Sequence, residues 1–570
     1  MTWRTTTGSA LRGLFPGVGV LRAYQRSFLR PDLVAALTVG AMLIPQSMGY
    51  AELAGVPPHY GFYAVIGALV VYAFVGTSRH LGVGPEPGTA VLAASGVGAI
   101  VGTDGALGAR YLALMAALAL VVGAVCVLGA ILRLGYLASV LSKPVLVGYI
   151  TGIGLTLLSS QIAGFTGLRI PADSFIPRVA ELRRNLSRVH LWTFGLAIGT
   201  LAVMLVLRRH APKAPAALIG VATATAISKA ASLPGRGITL IGVIPSGFPS
   251  PGLPSVTTRD LIQLLPVAAG IALVGFTDNV LTARAIAVGR GYRVDPNQEL
   301  LALGLINTTS GLSQGFPISS SASRTAVPAS LGSRTQLVSL LASGFLVVSL
   351  LAGRAALSEI PRAALAAVIV LAAISIIDVN GFRALWRVSR EECLLAAGTA
   401  LGVVVLGVLP GIIIAVVASL LGAIARISRP HDAELGFAPG LEGWVDVDQY
   451  GDARPVDGLV VFRFDAPLFF MNADRFVDRI GLAVERGANA TQWLIIDAEG
   501  IGTLDASAID MLGDLLARMT SEGLAVIGIA RANNPVIERL RRAGLLEPEG
   551  RLRSYATINA SVNAFHQREP

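Results

Sequence analysis

Long apolar stretches, separated by short polar connections, dominate residues 1–429 of the chain. Most of them approach or exceed the roughly 20 apolar residues that a helix needs to cross a bilayer. The pattern predicts a polytopic all-α membrane domain over residues 31–429, preceded by a cytoplasmic segment over residues 1–30. The fourteen stretches cover residues 33–55, 59–76, 88–101, 111–133, 144–165, 191–207, 214–231, 263–288, 299–312, 322–333, 335–353, 363–378, 391–408 and 410–426.

Two stretches in matching positions of the two halves look like half-helices rather than full spans. The third opens at GVGPEPGTA and the tenth at FPISSSASRTA, where Gly, Pro and Ser interrupt the chain. The first and eighth stretches carry polar residues near mid-span, namely Gln46 in one and Thr277, Asp278 and Asn279 in the other. A polar, interrupted pair in each half predicts an inverted repeat with a substrate site between the halves.

The pattern of apolar and polar residues changes in residues 430–570, where the apolar runs are shorter. The strand-like runs TQWLIIDAEG and LAVIGIA alternate with helix-like runs such as DASAIDMLGDLLARMTSEG, and GLVVFRFDAPLFFMNA predicts a strand, a turn and a second short strand. This alternation predicts a small α/β domain. No GxGxxG or P-loop motif occurs in it.

Charge also separates the two parts. Residues 430–570 hold 13 Arg and 21 Asp plus Glu, a net charge of −8, whereas residues 1–429 hold 32 Lys plus Arg and 14 Asp plus Glu, a net charge of +18. The basic residues lie in the connections, where they orient helices in an inner (plasma) membrane with both termini in the cytoplasm. They therefore indicate the lipid bilayer, and no nucleic acid, as the partner.

The connection over residues 169–190 does not fit this orientation, because it should face outward and yet contains five arginines. It is either an amphipathic surface helix or a sign that the count is wrong there.

Little in the chain suits metal, redox or catalytic chemistry. Cys126 and Cys393 lie within or at the start of apolar stretches and are interpreted as small buried hydrophobes. The six histidines are scattered, and none pair at metal-ligand spacing. We therefore expect no metal, no cofactor and no enzyme activity. We also expect no cleavable signal peptide, because the first residues lack a compact apolar core followed by small residues.

Half-helices that meet in mid-membrane would present unpaired backbone N–H groups and positive dipole ends, which bind anions. Gly88 and Thr89 in the third stretch and Ser323 in the tenth are the candidate ligands. Arg324 adds a full charge and a fork of donors suited to an oxyanion. The alternative is that Arg324 lies near a helix end and extends to the lipid headgroups.

Asp278 is the candidate for coupling transport to a cation. A carboxylate inside the bilayer is costly and is by default a functional residue. It could exchange a proton or, with the oxygen of Thr277, coordinate sodium. The alternative is a structural partnership with an arginine such as Arg324.

Three further residues are candidates for the same site. The Gln46 amide can donate hydrogen bonds without adding charge, or join helices. Tyr50, one helical turn later, would face the same way and could line the pocket or simply pack. Glu86 could take up a proton when an anion enters, or could cap its helix.

At these residues the chain resembles the SulP family of anion transporters. The matching stretches occur in the family's order along nearly the whole chain and are LIPQSMGYAELAGVPPHYGFYA, GTSRHLGVGPEPGTA, KPVLVGYITGIG, PNQELLALGLIN and QGFPISSSASRTA. The resemblance implies fourteen transmembrane segments in two inverted seven-segment repeats, divided into core and gate domains, in a homodimer.

The resemblance also implies an anion held between the starts of the third and tenth helices. Gln46 matches the family's site glutamine, Asp278 its acidic position, and Ser323 and Arg324 the Ser-Arg pair of some members. Tyr50 stands where an aromatic residue is often found. Glu86 departs from the pattern, because some members carry an aromatic ring there.

The C-terminal part resembles the family's cytoplasmic STAS domain. STAS domains are similar to anti-sigma-factor antagonists, in which a serine after a strand-to-helix turn is phosphorylated. In LDASAID the matching residue is Ser507, which would then be a regulatory site. The alternative is that Asp505 or Ser507 caps the following helix.

These features together predict a secondary active transporter that takes up an inorganic oxyanion, sulfate first, with protons by alternating access. Sodium-coupled bicarbonate transport and proton-coupled dicarboxylate transport are the alternatives within transport. A passive anion channel and an anion sensor are the alternatives outside it.

Overall fold

The computed structural model describes residues 15–102, 108–139, 142–170, 174–211, 214–248, 251–441, 443–486, 491–548 and 550–567. Residues 1–14 of the predicted N-terminal segment lie outside them. The chain divides into two compact units, one up to Ser419 and one from Leu420 onward. Each is described by itself.

The membrane unit is helical, and every one of the fourteen predicted stretches contains a helix. By length and composition, seven helical segments of the described residues could cross a membrane. The helices are α1 Pro16–Arg22, α2 Leu29–Leu53, α3 Tyr60–Val75, α4 Pro87–Val101, α5 Ala109–Ile131, α6 Lys143–Ser160, α7 Ile162–Thr166, α8 Phe175–Arg184, α9 Leu191–His210, α10 Ala216–Ala230, α11 Thr258–Val288, α12 Pro296–Leu312, α13 Ala322–Ser330, α14 Leu337–Ala352, α15 Arg354–Ser358, α16 Arg362–Ile376, α17 Val379–Val388, α18 Arg390–Leu406 and α19 Val408–Ser428.

The helices of this unit pack into two bundles. The first bundle contains α2 to α5 and α11 to α14, and the second contains α6, α9, α10, α16 and α18. Small residues let the backbones approach, as they do in other membrane helices. A Cβ on Gly123 would stand 2.9 Å from the Gly304 carbonyl oxygen, and a Cβ on Gly304 would stand 3.0 Å from that of Gly123. A larger side chain at either glycine would therefore push α5 and α12 apart.

The two predicted half-helices start side by side. Short strands β1 Val83–Gly84 and β2 Ser319–Ser320 precede α4 and α13 and pair antiparallel, Val83 with Ser320 and Gly84 with Ser319. Because the strands are hydrogen-bonded to each other, both helix N-termini are held in the middle of the first bundle.

The connection over residues 169–190 contains a helix, which agrees with the interpretation of this connection as an amphipathic surface helix. Helix α8 exposes apolar Ile176 and Val179 and ends in Arg183 and Arg184. An exposed apolar face next to arginines is typical of a helix lying in a membrane interface.

The second unit is a layered α/β domain. Its six-stranded sheet has the order β4-β3-β5-β6-β7-β8, with β5 to β8 parallel and β3 antiparallel to both neighbours. The second short strand predicted after β5 is wrong, because Leu468 forms only an isolated bridge to Leu504. The elements are β3 Asp432–Ala438, β4 Gly443–Asp446, β5 Leu459–Phe464, α20 Ala473–Arg486, β6 Trp493–Asp497, α21 Ala506–Ser521, β7 Val526–Ala530, α22 Asn534–Arg542, β8 Leu552–Tyr555 and α23 Ile558–Gln567.

A buried carboxylate ties α12 to the chain that leads into β1. Glu299 is 0% exposed and accepts hydrogen bonds from Tyr72 Oη at 2.9 Å, Thr77 N at 2.8 Å, Thr77 Oγ1 at 2.6 Å and Ser78 N at 3.2 Å. A buried carboxylate is stable only when its oxygens are bonded in this way. Glu299 therefore fixes one end of the segment that carries the first half-helix.

We expect Glu299→Ala to lower the free energy of unfolding by about 3 kcal/mol or more, because several buried donors lose their acceptor at once. Reversible denaturation in detergent measures the loss. Asp295→Ala is the matched control, since the exposed Asp295 carboxylate only caps the same helix through Asn297 N and Gln298 N. Equal losses of unfolding free energy in the two variants would show that the hydrogen bonds of Glu299 do not hold the segment that leads into β1.

Candidate functional site

The start of α4 is capped by its own side chain. Glu86 is the N-cap residue, and its carboxylate accepts hydrogen bonds from Gly88 N at 2.9 Å and Thr89 N at 2.8 Å. Of the two roles considered for Glu86, the structure therefore shows the cap. The two amides that we predicted as anion donors, those of Gly88 and Thr89, are occupied in this structure.

The start of α13 holds a buried guanidinium. Arg324 is 1% exposed, and its Nη1 donates to Gln46 Oε1 at 3.2 Å and to the Pro85 carbonyl oxygen at 2.8 Å. Its Nε and Nη2 are buried and have no hydrogen-bond partner among the described residues. The side chain thus points into the first bundle rather than toward lipid headgroups, with two free donors.

Two carboxylates and a phenol lie in the neighbourhood of this guanidinium. They belong to Glu86, Asp278 and Tyr50. Asp278 is half-buried and makes no hydrogen bond within the described residues. The predicted residues of α2, α4, α11 and α13 are therefore brought together from four separate parts of the sequence.

Two predicted residues lie differently from the rest. Ser323 is exposed, and its Oγ lies 3.0 Å from Ser321 Oγ. Thr277 is fully buried, and its hydroxyl donates to the Leu273 carbonyl oxygen of its own helix at 2.8 Å. Neither contacts Arg324 through a hydrogen bond in this structure.

Helix α12 positions the second half-helix through polar side chains. Asn307 is 0% exposed, and its amide donates to Ile318 O at 2.9 Å and accepts from Ile318 N at 2.9 Å. Ser310 Oγ donates to Phe316 O at 2.7 Å. Across the strand pair, Thr325 Oγ1 accepts from Gly82 N at 3.0 Å. These bonds leave the backbone before Arg324 little freedom to move.

Three further residues with polar atoms in this region were not among the predicted site residues. Tyr149 Oη, Asn279 Nδ2 and Ser320 Oγ are buried and have no hydrogen-bond partner in the described part of the chain. Asn279 Oδ1 accepts from Ser319 Oγ at 3.3 Å, and Tyr149 lies in the neighbourhood of Glu86 and Asp278. The FPISSS run hinted at Ser320, but nothing in KPVLVGYITGIG distinguishes Tyr149 from an aromatic that only packs.

Comparison with known proteins identifies the fold and the family. The sulfate permease family model matches residues 29–399, and the STAS domain model matches residues 450–560. The chain belongs to the sulfate permease family. It is thus a multi-pass membrane protein of a family of transporters, not enzymes, with a STAS domain at its C-terminal end.

Relatives of the family match the chain over its length. A probable sulfate transporter of Mycobacterium tuberculosis is 44% identical over 98% of this chain and 99% of its own length. The inward-facing structure of the murine Solute Carrier 26 family member A9 anion transporter has a TM-score of 0.90 at 23% identity, covering 98% of this chain and 95% of that one. The transmembrane domain of a cyanobacterial bicarbonate transporter, BicA, has a TM-score of 0.59 at 23% identity over 70% of this chain and 98% of that one. At these identities the two structures show the fold alone.

In the STAS domain of this family member, Ser507 is the second residue of α21 and is exposed. The cap of α21 is Asp505, whose Oδ1 accepts from Ala508 N at 2.8 Å and whose Oδ2 accepts from Phe470 N at 3.0 Å. Ser507 is therefore free of the capping role, and its phosphorylation stays a prediction.

Proposed function

We propose that this protein is a secondary active transporter of a small inorganic oxyanion, sulfate first, driven by protons. One observation carries the proposal, namely that Nε and Nη2 of the buried Arg324, beside the paired half-helix starts, have no hydrogen-bond partner among the described residues. Buried donors of a charged group are costly when they lack partners, so Nε and Nη2 are expected to be satisfied by a ligand. An oxyanion supplies two acceptors with the spacing of the guanidinium fork.

The charges around Arg324 favour proton coupling. With Glu86 and Asp278 both ionised, the three groups carry one positive and two negative charges, and a dianion would be repelled. A proton on Asp278 removes one of the negative charges and makes the site more favourable for an anion. Because binding free energies are reciprocal, the anion would favour the proton to the same degree.

Sulfate is the first choice of substrate because the relative from M. tuberculosis, which matches 98% of this chain, is named a probable sulfate transporter. Gln46, Tyr50 and Arg324 are the proposed ligands, and Ser323 would join them if its hydroxyl turned away from Ser321. Asp278 is the proposed coupling group, and Thr277 would contribute an oxygen only if sodium were the coupling ion.

The architecture that we propose is a pair of inverted seven-segment repeats with fourteen spans. An acidic residue in the first turn of α2, Asp32, accepts from Arg334 N and Thr335 Oγ1, both at 2.7 Å, in the connection between α13 and α14. The acidic residue in the first turn of α11, Asp260, pairs with Arg110 Nη2 at 3.2 Å near the start of α5. In the proposed repeat, α2 corresponds to α11 and α14 to α5. The contact of Asp32 before α14 therefore corresponds to the contact of Asp260 near the start of α5.

Helix packing supports the same exchange. Helix α2 packs on α14 as α11 packs on α5, and α4 packs on α11 as α13 packs on α2. In the second bundle α6 packs on α18 as α9 packs on α16. The first bundle would be the core domain and the second the gate domain of an alternating-access mechanism.

An ion pair joins the two bundles. Glu52 Oε1 at the end of α2 lies 3.5 Å from Arg362 Nε at the start of α16, with side-chain exposures of 22% and 53%. Nearby, a Cβ on Gly49 would stand 3.3 Å from Ile369 Cγ1, so α2 and α16 are closely packed there. Alternating access requires this contact to open in the opposite state.

We expect Glu52→Gln to favour that opposite state about three- to fivefold, as suits a partly exposed ion pair. The labelling rate of the variant Ile369→Cys by a membrane-impermeant maleimide would report the change. Lys229→Gln is the matched control, because Lys229 pairs with Glu359 at 3.0 Å outside the contact between the bundles. Unchanged labelling in Glu52→Gln would argue against a gate at this place.

Membrane placement, domain limits and assembly are proposed from the sequence pattern and the family. Both termini would be cytoplasmic, the transporter domain would span residues 31–429, and the STAS domain would span residues 430–570, in a homodimer. Accessibility of tags at either terminus in sealed cells, and cross-linking in the membrane, test these points.

Uptake by proteoliposomes tests the proposed function. We expect radioactive sulfate to accumulate when a proton gradient, acidic outside, is imposed, and not when a sodium gradient is imposed. Competition by excess bicarbonate, succinate and chloride establishes the substrate. Bicarbonate uptake driven by sodium would replace the proposal, and sustained anion current without either gradient would indicate a channel.

A further inference from the structure

Tyr149 of α6 belongs to the second bundle, yet it faces the site in the first. Ile153, one helical turn later on the same side of α6, lies against the start of α4, since its Cδ1 is 3.2 Å from the place of a Cβ on Gly88. A neighbouring face of α6, about 100° around the helix, contains Gly148 and Gly152 and packs against Thr399 and Val403 of α18. Tyr149 thereby lies on the side of α6 that faces the start of α4, in the neighbourhood of Glu86 and Asp278.

Within the part of the chain that the structure describes, no hydrogen-bond partner explains why residue 149 carries a hydroxyl. The residue is 2% exposed, and Oη has no hydrogen-bond partner in the described residues. Burying a hydroxyl without a hydrogen bond lowers stability, and phenylalanine would fill the same space without that cost. Tyr149 therefore resembles Arg324, which also keeps free donors next to the same two carboxylates.

We propose that Tyr149 is a further substrate-binding residue, contributed by the second bundle, whose hydroxyl donates a hydrogen bond to the oxyanion. The inference rests on the proposed function, because it assumes that the anion binds beside Arg324. It also gives the second bundle a direct contact with the substrate. Binding would then draw the two bundles together, since neither contains all the donors.

Tyr149→Phe tests the proposal because the two possible roles of the hydroxyl predict opposite changes. We expect sulfate affinity to fall about tenfold, the loss of one hydrogen bond to a charged group. Without sulfate, the melting temperature should be unchanged or higher, because an unsatisfied polar group has been removed. Both quantities are measured on the purified full-length protein, by radioactive sulfate binding and by thermal unfolding.

Tyr111→Phe is the matched control. Its hydroxyl is also on a buried tyrosine of the membrane unit, but it donates to the Ala54 carbonyl oxygen at 2.7 Å. We expect that variant to lose thermal stability and to bind sulfate like the parent protein.

The outcomes separate this inference from the proposed function. If the parent protein binds sulfate and Tyr149→Phe binds it equally well, the inference is wrong and the proposed function stands. A lower melting temperature of Tyr149→Phe without sulfate would assign the hydroxyl a structural role and also overturn the inference. If the parent protein binds no sulfate, the proposed function fails and the inference fails with it.

Discussion

Arg324→Gln is expected to bind sulfate at least about 100-fold more weakly than the parent protein. Two charge-assisted hydrogen bonds from Nε and Nη2 would be lost, each worth roughly 1.5–3 kcal/mol, and about 1.4 kcal/mol corresponds to a tenfold change in affinity. The sulfate affinity of Arg324→Lys should lie between those of the parent protein and Arg324→Gln, because an ammonium keeps the charge but not the planar fork. Equilibrium binding of radioactive sulfate to purified protein measures the change.

Arg334→Gln is the control for this substitution. Arg334 follows α13 and is exposed, and only its backbone amide, which bonds Asp32, has a structural role. Its loss should leave sulfate binding unchanged while removing the same charge from the chain. Equal binding by Arg324→Gln and Arg334→Gln would rule out an anion at the guanidinium.

Asp278→Asn is expected to abolish proton-driven accumulation of sulfate while leaving sulfate exchange between the two sides of the membrane intact. Asparagine has nearly the same shape but cannot gain or lose a proton, so it resembles the protonated state permanently. In the parent protein, sulfate affinity should fall as pH rises and Asp278 ionises. In Asp278→Asn the decrease of sulfate affinity with rising pH should be about tenfold smaller, which is within the usual range of coupling free energies between two binding sites.

Proteoliposomes with and without a pH gradient distinguish the two activities. Asp295→Asn serves as the control, since Asp295 is an exposed helix cap, and asparagine caps a helix as well as aspartate does. Gradient-driven accumulation by Asp278→Asn at the rate of this control would mean that the proton is carried elsewhere. Glu86, the other carboxylate beside Arg324, would then be the next residue to substitute.

Much of the fold follows from patterns that are local in the sequence. The apolar stretches located the helices because each helix satisfies its own backbone hydrogen bonds and needs only enough apolar residues around it. GVGPEPGTA and FPISSSASRTA located the two interrupted helices, because Gly and Pro limit where a helix can start, and this effect is also local. In the STAS domain, β3 and β4 were not predicted, because the run DAELGFA consists mostly of Asp, Glu, Gly and Ala, which are uncommon in strands.

The candidate site was predictable only in part. Polar residues in apolar surroundings marked Gln46, Asp278 and Arg324, and burial of Arg324 confirms that it does not extend to the headgroups. The hydrogen bonds of Glu86 to Gly88 and Thr89 depend on a side-chain rotamer that no spacing reveals. Tyr149 became a candidate only when the packing of α6 against the start of α4 was known. Contacts between bundles are long-range, and the pattern of a single helix does not contain them.

The most direct test is a crystal structure of the protein with selenate, an oxyanion of sulfate shape whose selenium is located by anomalous scattering. We expect one selenium peak in the membrane unit beside α13, with selenate oxygens about 2.7–3.2 Å from Arg324 Nε and Nη2. A selenium peak elsewhere in that unit, with both nitrogens still unpartnered, would contradict the central claim. So would the absence of any peak at a selenate concentration that saturates transport.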